Sequence, residues 1–204
     1  MRRRAAAAAL ALAAVTAQGG VSASDRLAQT PSVEEKGPHG KQARFREFLA
    51  KVHAYDQLRA AARSGVPGAG KKATAEQIEK HRTALAEKIQ EARKEAKPGD
   101  IFTPESQRAF RGAIENAHSG KRAAKIDRTI AQGEPVKLDL YVNKAYPEKI
   151  PITTVPPTFL QHFPNLPKKI EYRVVGNDLV LEDTEANLVI DIFPGAFPNA
   201  PPHN

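Results

Sequence analysis

The stretch EYRVVGNDLVLEDTEANLVIDI, residues 171–192, decides the fold. Tyr172 and Val174 lie two apart, so they share one face of an extended chain. Gly176-Asn177 then reads as a two-residue hairpin turn with Gly in the first position, where the backbone needs a positive φ. Leu179 and Leu181 continue the same face. Asp183 to Asn187 form a second turn, and Leu188, Ile190 and Ile192 complete a third strand. The pattern predicts a small antiparallel β-meander.

Outward from this meander the chain is rich in proline. Residues 194–204 contain Pro194, Pro198, Pro201 and Pro202 and read as a disordered tail. Upstream, Pro147, Pro151, Pro156, Pro157, Pro164 and Pro167 predict a stiff, irregular connection with one short helix near residues 158–163. Val136, Leu138, Leu140 and Val142 alternate with Lys137, Asp139 and Tyr141, the pattern of a half-buried strand. Residues 135–193 therefore form a Pro-rich β module.

Residues 41–134, before the module, read as mostly helical. In residues 41–63, Phe45, Phe48, Leu49, Val52, Tyr55, Leu58 and Ala62 recur at spacings of mostly three and four, one stripe of a helix. Gly65 and Pro67 stop it. Thr74-Ala-Glu-Gln77 is a capping box, which opens a second helix reaching about Lys97 with Ala75, Ile78, Leu85, Ile89, Ala92 and Ala96 as its stripe. Two helices of similar length around a Gly/Pro loop predict an antiparallel helical hairpin over residues 41–97. Thr103-Pro104-Glu105 caps a third helix with Phe110, Ala113, Ile114 and Ala117 on its buried side. Ser119-Gly120 interrupts, and a fourth short helix carries Ala123, Ile126 and Ile130, so residues 98–134 hold two short helices. The fold class is α+β: a helical hairpin and two short helices, then a small antiparallel β-meander.

The N terminus carries an address. Arg2, Arg3 and Arg4 precede an apolar run from Ala5 to Ala17, and Val21-Ser22-Ala23 has the small residues of a cleavage site. This reads as a signal peptide over residues 1–23, and the apolar run of 13 residues falls short of the ~20 that a membrane-spanning helix needs. The expected location is exported, periplasmic or secreted, with no transmembrane span in the mature chain. Residues 24–40 read as a flexible leader.

Composition narrows the chemistry. The chain has no Cys, which removes disulfides, thiolate metal sites and a Cys nucleophile. It has no Trp and one Met, so a modest core is expected. Its net charge of +8 is unevenly spread. Residues 24–134 carry 22 basic and 15 acidic side chains, residues 135–204 carry 6 and 8. The helical half is a basic arm and the β half is mildly acidic.

No motif assigns a catalytic residue, a cofactor or a metal ligand. Gly65 through Gly70 to Lys71 has the outline of a phosphate-binding P-loop, but Lys72 replaces the hydroxyl residue and a helix precedes the loop instead of a strand. Asp183, Glu185 and Asn187 have the spacing of an EF-hand's first half, but Leu188 and Pro194 stand at its Gly and Glu positions, so the stretch reads as a polar turn able at most to bind a cation weakly. His39, His53, His81, His118, His162 and His203 are dispersed. Aromatic residues on the basic arm are too sparse for sequence-specific nucleic-acid binding. Glu76–Lys80 and Glu91–Lys94 are spaced to pair on the helix surface.

Several stretches carry a resemblance: Val155-Pro-Pro-Thr-Phe-Leu, Pro164-Asn-Leu-Pro, Glu171 through Asp183, Asn187-Leu-Val-Ile-Asp, and Gly99 through Glu105. Together, over about residues 98–198, they resemble an uncharacterised family of small exported bacterial proteins. The C-terminal β module is also similar, more distantly, to that of periplasmic nickel/cobalt-homeostasis proteins. The resemblance implies a compartment and a fold, and carries no ligand set onto this chain. Three functions fit: a non-enzymatic envelope interaction module whose basic arm meets an anionic polymer or a protein, a periplasmic metal-responsive or metal-buffering protein drawing on His162 and Asp183, and a hydrolase without a recognisable motif.

Overall fold

The computed structural model describes residues 38–118, 140–147 and 155–197, all within one compact unit. In chain order the elements are α1 (Pro38–Arg44), α2 (Arg46–Ser64), α3 (Ala75–Ala92), α4 (Pro104–His118), α5 (Pro157–Leu160), β1 (Ile170–Val175), β2 (Asp178–Asp183) and β3 (Leu188–Phe193). The expected signal peptide, residues 24–37 of the expected leader, the expected fourth helix and residues 136–139 of the expected strand lie outside the described residues; residues 38–40 are helix instead of leader, and residues 140–142 are not strand but run into a turn. The fold is α+β, with a three-stranded antiparallel sheet in the order β1-β2-β3.

The first helix is broken at Phe45, which separates α1 from α2. The buried stripe of α2 is Phe48, Val52, Tyr55 and Arg59, so the charged Arg59 is buried where Leu58 was expected. On α3 the Thr74–Gln77 capping box forms with both reciprocal bonds, 2.9 and 3.2 Å. Its stripe is His81, Leu85 and Ile89, while Ile78 stays 44% exposed. The helix ends at Ala92, short of Lys97. Asn143, at φ 63°, donates to the carbonyls of Gln90 and Arg93 and so takes up the open end of the helix. Gln90 returns a bond to the Asn143 carbonyl. The Arg93 guanidinium lies over the Tyr55 ring at one end of the α2–α3 pair, and His81 meets the Pro67 carbonyl at the other, so the two helices are antiparallel.

All eight phenylalanines of the chain are buried in a single cluster. Phe110 of α4 is its hub, with Phe45, Phe48, Phe102 and Phe163 at ring distances of 4.7 to 5.3 Å. Each buried Phe contributes about 1.5–3 kcal/mol. The core thus rests on few but large side chains, a correction to the modest core expected without Trp or Met. Ala196 and Phe197 are part of it: both are buried and the Phe197 N–H donates to the Asn177 carbonyl, so the chain is packed this far into the stretch expected as a disordered tail.

The meander forms with Gly176 at φ 58° in the first turn and Asn187 at φ 52° in the second. Its third strand departs from strict alternation. Leu181 pairs with Asp191 while the adjacent Glu182 pairs with Val189, so a bulge accommodates Ile190 as an extra residue. The bulge places Ile190 and Asp191 together on the helical side and turns Ile192 to the opposite face, where it joins Val175, Val180, Val189 and Tyr146. Leu140 and Val142 pack against that second cluster. The 140–147 segment follows β3 through bonds at Asn143, Tyr146 and Val189.

Asp191 uses its new orientation to join the α3–α4 connection to the sheet. Its carboxylate accepts N–H bonds from Gly99, Ile101, Phe102 and Ile192 at 2.7 to 2.8 Å. Burial pushes this carboxyl above its usual range, against the opposing pull of the four donors.

Candidate functional site at the hairpin tip

The loop between α2 and α3 stands beside a cluster of charges that ties the hairpin to the sheet. Arg59 reaches this cluster because it follows Tyr55 by four residues and so continues the inward face of α2. Tyr55 donates to Asp183 Oδ2 at 2.8 Å. Arg59 Nε stands 3.0 Å from the same oxygen, without the alignment of a hydrogen bond, and Arg59 Nη2 donates to Glu185 Oε2. Asp183 Oδ1 accepts the N–H groups of Glu185 and Ala186, which shapes the β2–β3 turn. Glu185 Oε1 is 3.2 Å from both Arg63 Nε and His81 Nε2. The other ring nitrogen of His81 is 2.7 Å from the Pro67 carbonyl.

The electrostatics follow from these contacts. Burial raises the Glu185 carboxyl, but the His81 hydrogen bond and the charges of Arg59, Arg63 and His81 outweigh it and hold the group below its usual range. Burial, with the Asp183 carboxylate alongside, pushes the Tyr55 phenol far up. A depressed carboxyl pKa stabilises the fold above the unfolded-state value, about 4.3 for Glu, and that contribution is lost as pH falls through the lower folded-state value. Glu185→Gln is therefore expected to reduce stability at neutral pH and to flatten the acid limb of the stability profile. Urea unfolding at a series of pH values checks this; a variant with an unchanged acid limb would contradict it.

The acidic turn is thus filled by the chain's own side chains. Asp183 and Glu185 face Arg59, Arg63 and His81, which leaves them poorly placed as ligands for a weakly bound cation. His53 is exposed on α2 and His162 half-buried after α5. Among the described residues no group of three or more His, Cys, Asp or Glu side chains comes together to hold a metal ion.

Beside this cluster opens a pocket of about 410 Å³, lined by Pro67, Gly68, Gly70, Lys72, Ala73, Gln77, Lys80 and His81. It contains the loop whose sequence has the P-loop outline, here set between two helices. No acidic residue lines it. Among the described residues neither Lys72 nor Lys80 forms an ion pair: the expected Glu76–Lys80 and Glu91–Lys94 pairs are absent, and Glu79–Arg82 closes instead at 3.1 Å. The backbone N–H groups of residues 68–72 have no acceptor among the described residues. Gly68 and Gly70 both have ordinary φ, and a Cβ added at either would meet nothing within 4 Å. Gly68→Ala and Gly70→Ala are each expected to stabilise the protein by about 0.4–1 kcal/mol through the unfolded chain, read as a rise in the urea midpoint. A lowered midpoint would show that the loop needs its glycines to fold.

Residue spacing carried an overlooked signal for this site. Arg59 continues the 48, 52, 55 progression, and His81 stands four residues before Leu85 and eight before Ile89. A polar residue in phase with an apolar stripe is a buried polar residue that needs a partner. The partners themselves are distant in sequence and carried no such signal. Among the described residues no helix is long and apolar enough to cross a membrane. No family model, curated protein or solved structure matches this chain.

Proposed function

We propose that the protein is an exported interaction module that binds an anionic envelope polymer through the basic tip of its helical hairpin. Export rests on the reading of residues 1–23 as a signal peptide. The resemblance to small exported bacterial proteins and the basic charge of residues 24–134 are in keeping with it. The observation that carries the reading is the distribution of charge at the tip. Lys72 and Lys80 line an open pocket without carboxylates, while Asp183 and Glu185 of the adjoining turn are already paired with Arg59 and Arg63. Anions approaching the tip therefore meet uncompensated positive charge, held on a hairpin that the sheet braces.

Binding of this kind weakens as salt screens it, since the Debye length falls from ~10 Å at 0.1 M to ~3 Å at 1 M. With dextran sulfate as the probe, affinity is expected to fall at least tenfold between low and high salt. Binding that ignores salt, or no binding at low salt, would reject the reading.

A further inference from the structure

We propose that the hairpin-tip pocket is a binding site for a phosphomonoester group, with Lys72 and Lys80 as its counter-charges. The inference rests on the anionic-partner reading and names the chemistry of one group that the tip accepts. A phosphomonoester carries about −1.5 to −2 charges at pH 7 and presents three strong acceptor oxygens. Two lysines without ion-pair partners in a pocket free of carboxylates match that charge; a phosphodiester or a single carboxylate would leave one of them uncompensated. Lysine meets phosphate as a point charge and tolerates a range of approach angles.

The loop supplies the remaining donors. The N–H groups of residues 68–72 have no acceptor among the described residues. Of these residues Gly68, Gly70 and Lys72 line the pocket, and free backbone N–H groups suit anion oxygens. Neither backbone conformation nor any neighbouring atom calls for glycine at 68 or 70. Glycine at both positions leaves the backbone open to a ligand lying directly against it. His81 is a wall of the pocket and not a ligand, because its two ring nitrogens are already engaged by Pro67 and Glu185. The volume of about 410 Å³ lies within the ~300–1,000 Å³ of small-molecule sites and leaves room for the organic part of the ester.

Calorimetric titration of the full chain with glycerol phosphate tests the site. Saturable binding is expected, weakened about tenfold by Lys72→Gln and again by Lys80→Gln, and unchanged by Lys168→Gln, which lies outside the hairpin. Both pocket lysines are exposed, so their loss does not threaten folding. Gly68→Ala is expected to weaken binding while it raises stability. Glycerol phosphate binding accompanied by binding to phosphatidic acid vesicles supports the site with a lipid headgroup as the source. Binding of the soluble ester alone supports it with a free phosphoester as the source. No saturable heat, or equal affinity in wild type and the double lysine variant, overturns the site. If glycerol phosphate gives no saturable heat while wild type binds dextran sulfate in a salt-sensitive way, the pocket fails and the broader reading stands. If wild type binds glycerol phosphate through these lysines but ignores dextran sulfate, the broader reading fails and the pocket stands.

Discussion

Asp191→Ala is expected to cost about 4 kcal/mol, one of the two largest structural effects foreseen for this chain. Its carboxylate is the acceptor for four backbone N–H groups, three of them in the connection between α3 and α4. A buried N–H left without an acceptor costs about 1–3 kcal/mol. Two opposing effects reduce the total: the burial that raises the Asp191 carboxyl is relieved, and water reaches the more open Gly99 end. The donors win because four are orphaned by one substitution. For a chain of this size each kcal/mol shifts Tm by about 2–4 °C, so a drop of about 10 °C is expected in a thermal melt. Asp191→Asn should fall between, since one amide oxygen still accepts while the NH2 opposes the remaining donors. A loss below about 1 kcal/mol in the alanine variant would mean that β3 does not depend on this carboxylate to hold the α3–α4 connection.

Arg59→Met comes next, at about 3–5 kcal/mol, the range found when one partner of a buried ion pair is removed. Methionine retains much of the packing of the side-chain stem, so the effect isolates the charge. Without the guanidinium, Asp183 stays fully buried beside Tyr55, and Glu185 keeps only Arg63 and His81. The sign of the pH dependence follows. Loss of a neighbouring cation moves the Glu185 carboxyl up, because burial, which raises it, then has less opposing it. Protonation at low pH removes the uncompensated charge, so the stability gap between wild type and variant is expected to be largest near pH 7 and to shrink through the ordinary carboxylate range near pH 4.3. Urea unfolding at both pH values measures it. A gap of constant size would assign the loss to packing. The double variant Arg59→Met with Glu185→Gln should lose less than the sum of its parts, by about 1–3 kcal/mol, as expected for groups in one network.

Both substitutions act where the helical half meets the sheet. Arg59 and Tyr55 secure the β2–β3 turn to the hairpin, and Asp191 secures the α3–α4 connection to β3. The tip pocket therefore sits on a braced arm, and His81 is shared between the brace and the pocket wall. A change in Glu185 would be felt at the pocket through that one ring.

Much of the architecture was legible in local chemistry. The alternation of Tyr172, Val174, Leu179 and Leu181, the Gly176-Asn177 turn, the Thr74–Gln77 box and the Thr103-Pro104 start all appear where their spacing places them. Each depends on residues within a few positions of one another, where chain geometry alone decides who meets whom. The end of α3 is not legible locally because its cap is supplied by Asn143, some fifty residues away. The alternation of Leu188, Ile190 and Ile192 contains no mark of the bulge that turns Ile192 to the other face.

The sequence by itself located the three strands of the meander and the starts of α3 and α4, and put the positive charge in residues 24–134. Tertiary structure alone decided that Asp191 turns inward, that Arg59 and Tyr55 meet acids 126 and 128 residues away, and that Lys72 and Lys80 border a pocket without carboxylates. The division has one physical cause. Backbone preference and hydrophobic period act between neighbours, whereas a buried charge is stable only beside a partner, and which partner is near is set after the chain has packed.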